Sequence, residues 1–369
     1  MAVQAIDARD APLVRLVDAV QAARAAHTAL EIRGGGTKAF YGEAPRGRPL
    51  PVAALAGISS YEPSELVVTA RAGTPLAQLE EALAERGQCL PFEAPRFAPG
   101  GTVGGMVAAG LSGPARAAAG AVRDHLLGAT LLTGRGEIQS FGGQVIKNVA
   151  GYDVARLLCG SWGILGLILE VSLKVTAVRP ATATLCFDCD EAEAMRRLAL
   201  LAPRPLPLTA SAWHRGRLSL RFAGACAAVD AACAELKGER LAAGAAAAWW
   251  QEVRDHRHAF FQLNEAALAR GESLWRLSRP ATAVIADFGG ERFIEWGGAL
   301  LWWRGVATAA ALRAAAAQAG GHATLVRTAD KSAGAFAPLG EPLLRIHRRL
   351  KEAFDPLAIF NPGRLYPEL

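Results

Sequence analysis

Nothing in this 369-residue chain reads as a membrane span. The apolar stretch that comes nearest in length, Gly160 to Val175, is broken by Ser, Gly, Glu and Lys, whereas a spanning helix needs about 20 predominantly apolar residues in a row. The N-terminus, Met-Ala-Val-Gln-Ala-Ile-Asp-Ala-Arg-Asp, lacks the charged start and apolar core of a secretory signal, so a cytoplasmic protein is the expectation. A disulfide framework is missing too. The six cysteines, Cys89, Cys159, Cys186, Cys189, Cys226 and Cys233, are scattered without framework spacing, which fits reduced thiols. Cys186 and Cys189 have the spacing of a zinc pair, but no second pair accompanies them and Cys186 falls inside an expected strand.

A strong excess of one charge is also lacking: 40 basic residues stand against 34 acidic ones, a net of +6, and much of the basicity is arginine spread along the chain. With no basic stripe interleaved with aromatics, nucleic acid is not an expected partner. One local run, Arg345-Ile-His-Arg-Arg-Leu-Lys351, reads as the solvated face of a helix or as a positive surface turned toward a bound group or partner.

What the chain does have is glycine, concentrated in two loops. Ile32-Arg-Gly-Gly-Gly-Thr-Lys38 follows a short strand, and Ala98 to Gly113 reads Ala-Pro-Gly-Gly-Thr-Val-Gly-Gly-Met-Val-Ala-Ala-Gly-Leu-Ser-Gly, with Thr102 placed to cap a helix running through Met106 to Gly110. Glycine lets backbone N–H groups approach an anion and turn through positive φ, and a helix start adds its positive dipole end. Two such loops on separate strand-loop-helix segments point to one large phosphate-bearing cofactor.

The chain length and 51% apolar content suggest two domains or three. In the first, a helix is expected from Ala11, a strand at Leu66 to Ala70, and a helix with Thr74 as cap and Pro75 at its first position. A hairpin follows over Leu126 to Phe141, then one helix from Gly151 to near Gly160, and a long strand from Leu165 to Val178. Pro180 closes this domain. Beyond it, strands at Ala183 to Phe187, Leu208 to Trp213, Leu218 to Phe222, Glu295 to Trp303 and His322 to Arg327 alternate with helices in an α+β pattern.

A dinucleotide-binding turn is not the explanation of the loops. The G-x-G-x-x-G pattern with an acidic residue about twenty positions on is absent at Arg33 to Lys38, and so is the Walker pattern. Instead Arg33-Gly-Gly-Gly-Thr37, Pro99-Gly-Gly-Thr-Val-Gly-Gly105, Gly151-Tyr-Asp153, Gly160-Ser-Trp-Gly-Ile-Leu-Gly166 and Phe360-Asn-Pro-Gly363 together resemble the FAD-binding domain of the vanillyl-alcohol oxidase, or PCMH, type. Ala121-Val-Arg-Asp124, Phe141 to Asp153, Glu295-Trp-Gly-Gly-Ala299 and Asn361-Pro-Gly-Arg-Leu-Tyr-Pro367 extend the likeness across both domains. They make the whole chain similar to the E-subunit family of bacterial glycolate oxidase complexes.

The resemblance implies a PCMH-type two-part FAD-binding domain at residues 1–179, a shortened cap of antiparallel sheet and helices at 180–335, and a C-terminal segment, 336–369, returning to the flavin. It assigns the pyrophosphate to Arg33, Gly34, Gly35, Gly36, Thr37 and Lys38 with Pro99, Gly100, Gly101, Thr102, Val103, Gly104 and Gly105. Asn148, Gly151, Tyr152 and Asp153 would precede a helix beside the flavin; Gly160, Ser161, Gly163, Gly166 and Ile168 would enclose the adenine and ribose end; Asn361 would reach the isoalloxazine. Relatives with covalent flavin carry histidine where Thr37 stands, so non-covalent FAD is implied. Trp162 and Ile164 depart from the Glu and Thr usual in that loop.

The activity implied is oxidation of glycolate to glyoxylate, with a larger FAD-containing subunit and an iron-sulfur subunit as partners, in the cytoplasm or held peripherally at the inner membrane through them. Such chemistry needs a base at the hydroxyl, a clamp for the carboxylate and positive charge near the reduced ring. Candidate cations are Lys147, Arg345 and Arg364, and candidate bases His256, His258 and His322. His256 and His258, two positions apart, read as a surface or interface helix end rather than a metal pair. The metal-binding stretch His-x-Gly-Asp-Gly-Asn of full-length dehydrogenase relatives is absent, as is any cluster-binding cysteine run. Catalytic residues therefore stay unassigned. The chain could oxidise substrate itself, serve as a flavin relay, or stand alone as an oxidoreductase for another 2-hydroxy acid. Trp249, Trp250, Trp302 and Trp303 read as core or subunit contacts.

Overall fold

A computed structural model of the chain describes residues 10–143 and 152–369. Lys147, Asn148 and Gly151 lie outside the described residues. Two compact units divide the chain: one takes the N-terminal part up to Leu111, Ala121–Val178 and Pro338–Leu369, the other Ser112–Gly120 and Arg179–Ala337.

In the first unit, Leu167–Lys174 is the middle strand of an antiparallel sheet ordered Ile58–Glu62, Val67–Arg71, Leu167–Lys174, Leu126–Leu132 and Ile138–Gly142. Its nearly continuous apolar sequence follows from burial on both faces. Leu167 and Leu169 enter one core with Leu16, Val20, Leu30 and Phe360, while Ile168, Val171 and Leu173 enter another with Leu79, Leu83, Phe92 and Val103. A register shift against Thr130 and Leu131 changes which face is which along the strand. A separate parallel pair, Leu30–Arg33 with Arg48–Pro51, carries the first glycine loop at its end, and Phe360 bridges to Leu30 from the C-terminal segment.

Thr74 does not cap the helix Leu76–Ala84. Its hydroxyl is spent on Gly57, donating to the carbonyl and accepting from the N–H at 3.0 Å each, while the Leu76 N–H donates to the Gly101 carbonyl at 2.8 Å. The start of this helix is thereby fastened to the second glycine loop. Thr102 does cap Val103–Ala109, accepting from the Gly105 N–H, and Gly110 ends it at φ +62°. The single helix expected from Gly151 is only a 3-10 turn, Ala155–Leu158. Cys159 turns extended there, and the Gly160 and Trp162 N–H groups pair with the Val107 and Ala108 carbonyls instead of continuing a helix.

The C-terminal segment is fixed by a buried ion pair. Lys351, 5% exposed, donates to Asp355 at 2.8 Å and to the Ile164 and Phe360 carbonyls at 2.7 Å each, and Asp355, 1% exposed, accepts from the Ile359 and Phe360 N–H groups. Lys351 is thus the buried member of the basic run. Arg345, Arg348 and Arg349 lie on the same helix, Glu341–Phe354, and are exposed, with His347 half-buried between them.

The second unit is built on an antiparallel sheet of eight strands among the described residues, ordered Glu239–Arg240, Ala181–Asp188, Arg217–Gly224, Leu208–His214, Glu291–Glu295, Leu300–Gly305, Ser273–Ser278 and His322–Arg327. The strand expected from Glu295 to Trp303 is two strands of a hairpin, broken where Trp296, Gly297 and Gly298 all take positive φ. Residues 112–120, read from sequence as part of the first domain, belong here: Trp296 donates to the Gly113 carbonyl at 3.0 Å and Arg116 lies over its ring. His256 is buried rather than at a surface, stacked on Phe261 at 4.3 Å; burial, with Arg327 and Arg276 nearby, pushes its pKa down to about 3. Trp250, Trp302 and Trp303 are core residues.

Lys351→Met leaves Asp355 charged and buried without its counter-ion, so it should destabilise the protein by about 3–5 kcal/mol in urea denaturation. Removing both charges together, in the double variant K351M/D355L, should cost markedly less than the two single changes added.

Candidate functional site

The first glycine loop leaves its strand with its main-chain donors uncommitted. The N–H groups of Gly34, Gly35, Gly36, Thr37 and Lys38 have no hydrogen-bond partner among the described residues, and runs of unpaired main-chain donors form anion-binding concavities. Two contacts require glycine here. A Cβ on Gly35 would overlap the Gly100 carbonyl oxygen, and one on Gly34 would overlap the Thr102 hydroxyl, so the two loops meet backbone to backbone. Gly36, at φ +68°, completes the turn.

The second loop contributes differently from the sequence expectation. Gly100, at φ +88°, Gly101 and Thr102 keep N–H groups with no partner among the described residues, but the donors that open the helix are already used. Val103 donates to the Thr74 carbonyl at 2.9 Å, Gly104 to the Ala72 carbonyl at 2.8 Å, and Gly105 to the Thr102 hydroxyl at 3.2 Å. The N–H groups left without partners among the described residues therefore lie in the two loops and not in the first turn of this helix. Gly104 is a packing glycine: a Cβ there would sit 2.6 Å from that of Ala72.

A cleft partly open to solvent runs between these loops and a third wall formed by Trp162, Gly163, Gly166, Leu167 and Ile168. Asn361 closes it. Its side chain accepts from the Ile32 N–H at 2.7 Å and donates to the Trp162 carbonyl at 2.6 Å, and Gly163 has no room for a Cβ beside it. Tyr41 stacks on Trp162, with ring centroids 5.2 Å apart, and the Arg364 guanidinium lies over the same indole.

Of the residues proposed from sequence, Arg33, Gly34, Gly35, Gly36, Thr37, Lys38, Thr102, Gly104, Gly105, Gly163, Gly166, Ile168 and Asn361 line the cleft. Pro99, Gly100, Gly101 and Val103 stand behind it: Gly100 backs the first loop and Val103 is in the core. Gly160 and Ser161 shape the third wall from outside, the Ser161 hydroxyl donating to the Leu158 carbonyl. Tyr152 is 96% exposed and Asp153 pairs with Arg156 at 2.7 Å, both away from the lining.

Trp162 and Arg364 are among the lining residues not assigned as cofactor contacts from sequence, although the departure at position 162 and the cation at 364 are both visible there. The charged lining residues are Glu31, Arg33, Lys38 and Arg364. Glu31 and Arg33 pair with each other at 2.8 Å. Lys38 has no carboxylate partner among the described residues, only the Phe97 ring 5.9 Å away, and burial brings its ammonium down to about 8. Arg364 is 6% exposed; Nη2 donates to the Lys38 carbonyl at 3.1 Å while Nη1 is buried without a partner. His256, His258 and His322 belong to the second unit. No group of three or more His, Cys, Asp or Glu side chains among the described residues could hold a metal ion, and Cys186 contacts Ser219 within the sheet.

An FAD binding domain family matches residues 14–142. The solved structure of an alkyldihydroxyacetonephosphate synthase covers 94% of this chain and is covered to 74%, with TM-score 0.65 and 16% identity, so the fold is that of the PCMH-type FAD proteins. Glycolate oxidase subunit GlcE of Escherichia coli (strain K12) is 42% identical over 354 residues, 96% of this chain and 97% of that one. This chain belongs to the GlcE family, and FAD is its cofactor. Glycolate oxidase subunit GlcD of Bacillus subtilis (strain 168) is 28% identical over 48% of this chain and 38% of that protein, and a D-2-hydroxyglutarate dehydrogenase of Xanthomonas citri pv. viticola is 33% identical over 31% and 24%.

The residues fit the cofactor: unpaired amides and two cations without carboxylate partners among the described residues face a cleft whose glycines admit close approach. Gly35→Ala should force the two loops apart and strip FAD from the purified protein. Gly101→Ala, whose Cβ would meet nothing nearer than the Thr37 hydroxyl at 3.5 Å, should retain it, as flavin absorbance per mole of protein would record.

Proposed function

We propose that this chain is the FAD-carrying E subunit of a complex that oxidises glycolate to glyoxylate, and that within it the chain works as a flavin relay. One observation carries the relay reading. The cleft is lined by amides, apolar side chains and cations, and its one lining carboxylate among the described residues, Glu31, is tied to Arg33. Removing the hydroxyl proton of a 2-hydroxy acid needs a positioned base; no lining carboxylate or imidazole among the described residues is free to be one, and Lys38 is assigned here to the cofactor's phosphates. FAD when bound supplies two-electron acceptance and onward transfer of single electrons.

On this reading residues 33–38 hold the cofactor's phosphates with Thr102 beside them, Gly163, Gly166 and Ile168 enclose it, and Asn361 keeps the walls in register. Thr37 offers no nucleophile comparable to a histidine ring, so FAD is held non-covalently. The partners are a larger FAD-containing subunit, which meets the substrate, and an iron-sulfur subunit. No helix among the described residues is long and apolar enough to cross a membrane, and inner-membrane contact is proposed to run through those partners.

Glycolate added anaerobically to the FAD-loaded chain alone should leave the flavin spectrum unchanged, and bleaching should appear once the partner subunits are present. Bleaching of the isolated chain would overturn the relay reading in favour of direct oxidation. A second test uses Lys38. Its ammonium titrates at about 8 in the free protein, and a neighbouring phosphate raises that value. Binding therefore takes up a proton. The added affinity is complete below the free-protein value and is lost as pH rises through the higher bound-state value. The FAD dissociation constant should therefore climb as pH rises above about 8, and Lys38→Met should flatten that climb.

A further inference from the structure

We infer that the outward face of the helix Glu341–Phe354 is the docking surface for a partner subunit of the complex, and that the segment it receives is apolar at its centre and carries carboxylates along its side. The inference rests on the subunit reading above and names the surface of this chain that the assembly uses.

The helix carries two apolar sets where its seating in the fold needs one. Leu344, Leu350 and Phe354 pack against the core of the first unit, and Lys351 is buried. His347 is committed as well: Nδ1 donates to the Leu343 carbonyl at 2.9 Å, and the ring meets Tyr366 edge-on with centroids 6.0 Å apart. Leu343 and Ile346 take no part in this packing and stand 53% and 52% exposed. Either alone would be an ordinary surface residue. Three positions apart they share a helix face, and so they make an aliphatic ridge on a helix that another face already holds in place.

Positive charge borders the ridge. Arg345, Arg348 and Arg349 are exposed, and Arg349 lies one turn beyond Ile346. Arg345 and Arg349, four positions apart, repel each other, and neither makes an ion pair among the described residues; Arg348 reaches only Glu341, at 4.0 Å. Glu352, the helix's other carboxylate, pairs with none of the three.

Charge selects the occupant. Guanidinium forks bind carboxylates in a fixed two-pronged geometry and are favoured at interfaces where apolar neighbours exclude water, which is the pairing that this face offers to an acidic segment. A second copy of this chain docked face to face would bring the same arginines against these, and like charges oppose such contact. A bilayer is a poorer match: interfacial helices and lipid-binding basic clusters carry longer basic runs and aromatics, and the one Phe, Tyr or Trp of this helix, Phe354, is packed on the core.

The test uses the full FAD-loaded chain and the partner subunits, with assembly followed by calorimetry and analytical ultracentrifugation. R345E/R349E should weaken assembly by about 100-fold and L343S/I346S by about 10-fold, both retaining wild-type FAD per mole of protein, and wild-type assembly should weaken as salt rises. Reversing two other exposed arginines of the first unit, in R15E/R86E, changes the net charge equally and should alter assembly by no more than about threefold. Unchanged assembly in R345E/R349E and L343S/I346S would overturn the docking surface, as would equal weakening by R15E/R86E. So would a wild-type chain that binds phosphatidylglycerol vesicles, or dimerises by itself, in a way that R345E/R349E abolishes while assembly with the partners survives. Failure of the wild-type chain to join any partner subunit would instead overturn the subunit reading itself.

Discussion

The side-chain amide of Asn361 spans the cleft from wall to wall, accepting from the Ile32 N–H and donating to the Trp162 carbonyl, and most of the site's geometry follows from it. Ile32 lies near the end of the strand that launches the first glycine loop, and Trp162 belongs to the third wall, so one side chain sets the separation between them. Each end of the amide makes one of these bonds, so Asn361 ties the two walls together. Its own place depends on Lys351 and Asp355, whose buried pair gathers the Phe360 carbonyl and N–H together with Ile164.

The site's electrostatics depend on the same framework. Amides in the first loop remain unpaired while its carbonyls are used, Gly36 accepting from the Ala39 N–H and Lys38 from the Tyr41 N–H. The helix that follows the second loop could have supplied further donors, but its first turn is bonded to Thr74, Ala72 and Thr102. Positive charge enters from Lys38 and from the far end of the chain at Arg364. Neither has a carboxylate to settle on among the described residues. A cleft organised in this way suits a highly charged cofactor.

Much was legible in the primary structure. The glycine loops, the Thr102 cap, the hairpin after Leu126 and the antiparallel second unit follow from turn chemistry and periodicity, which are local properties. Local rules failed where a distant group took the bond. Thr74 was drawn away from its helix by Gly57, the helix expected after Gly151 was replaced by pairing with residues 107 and 108, and the Glu295 to Trp303 strand was broken by a turn anchored on Gly113. His256 looked like a helix-end surface residue because sequence spacing does not report that Phe261 and Trp302 close over it.

By itself the sequence determined that this protein carries two cooperating glycine loops, that it belongs with the PCMH-type FAD proteins, and that Thr37 stands where a covalent attachment point would be. Those are statements about residue type and order. Only the tertiary structure decided which glycines face the cleft and which merely let two backbones touch, that the helix-start amides are already spent, and that Arg364 comes to rest beside Lys38. Each depends on a contact between segments far apart in the chain. Whether a donor is free or bonded is a property of its neighbours in space, and order along the chain does not specify them.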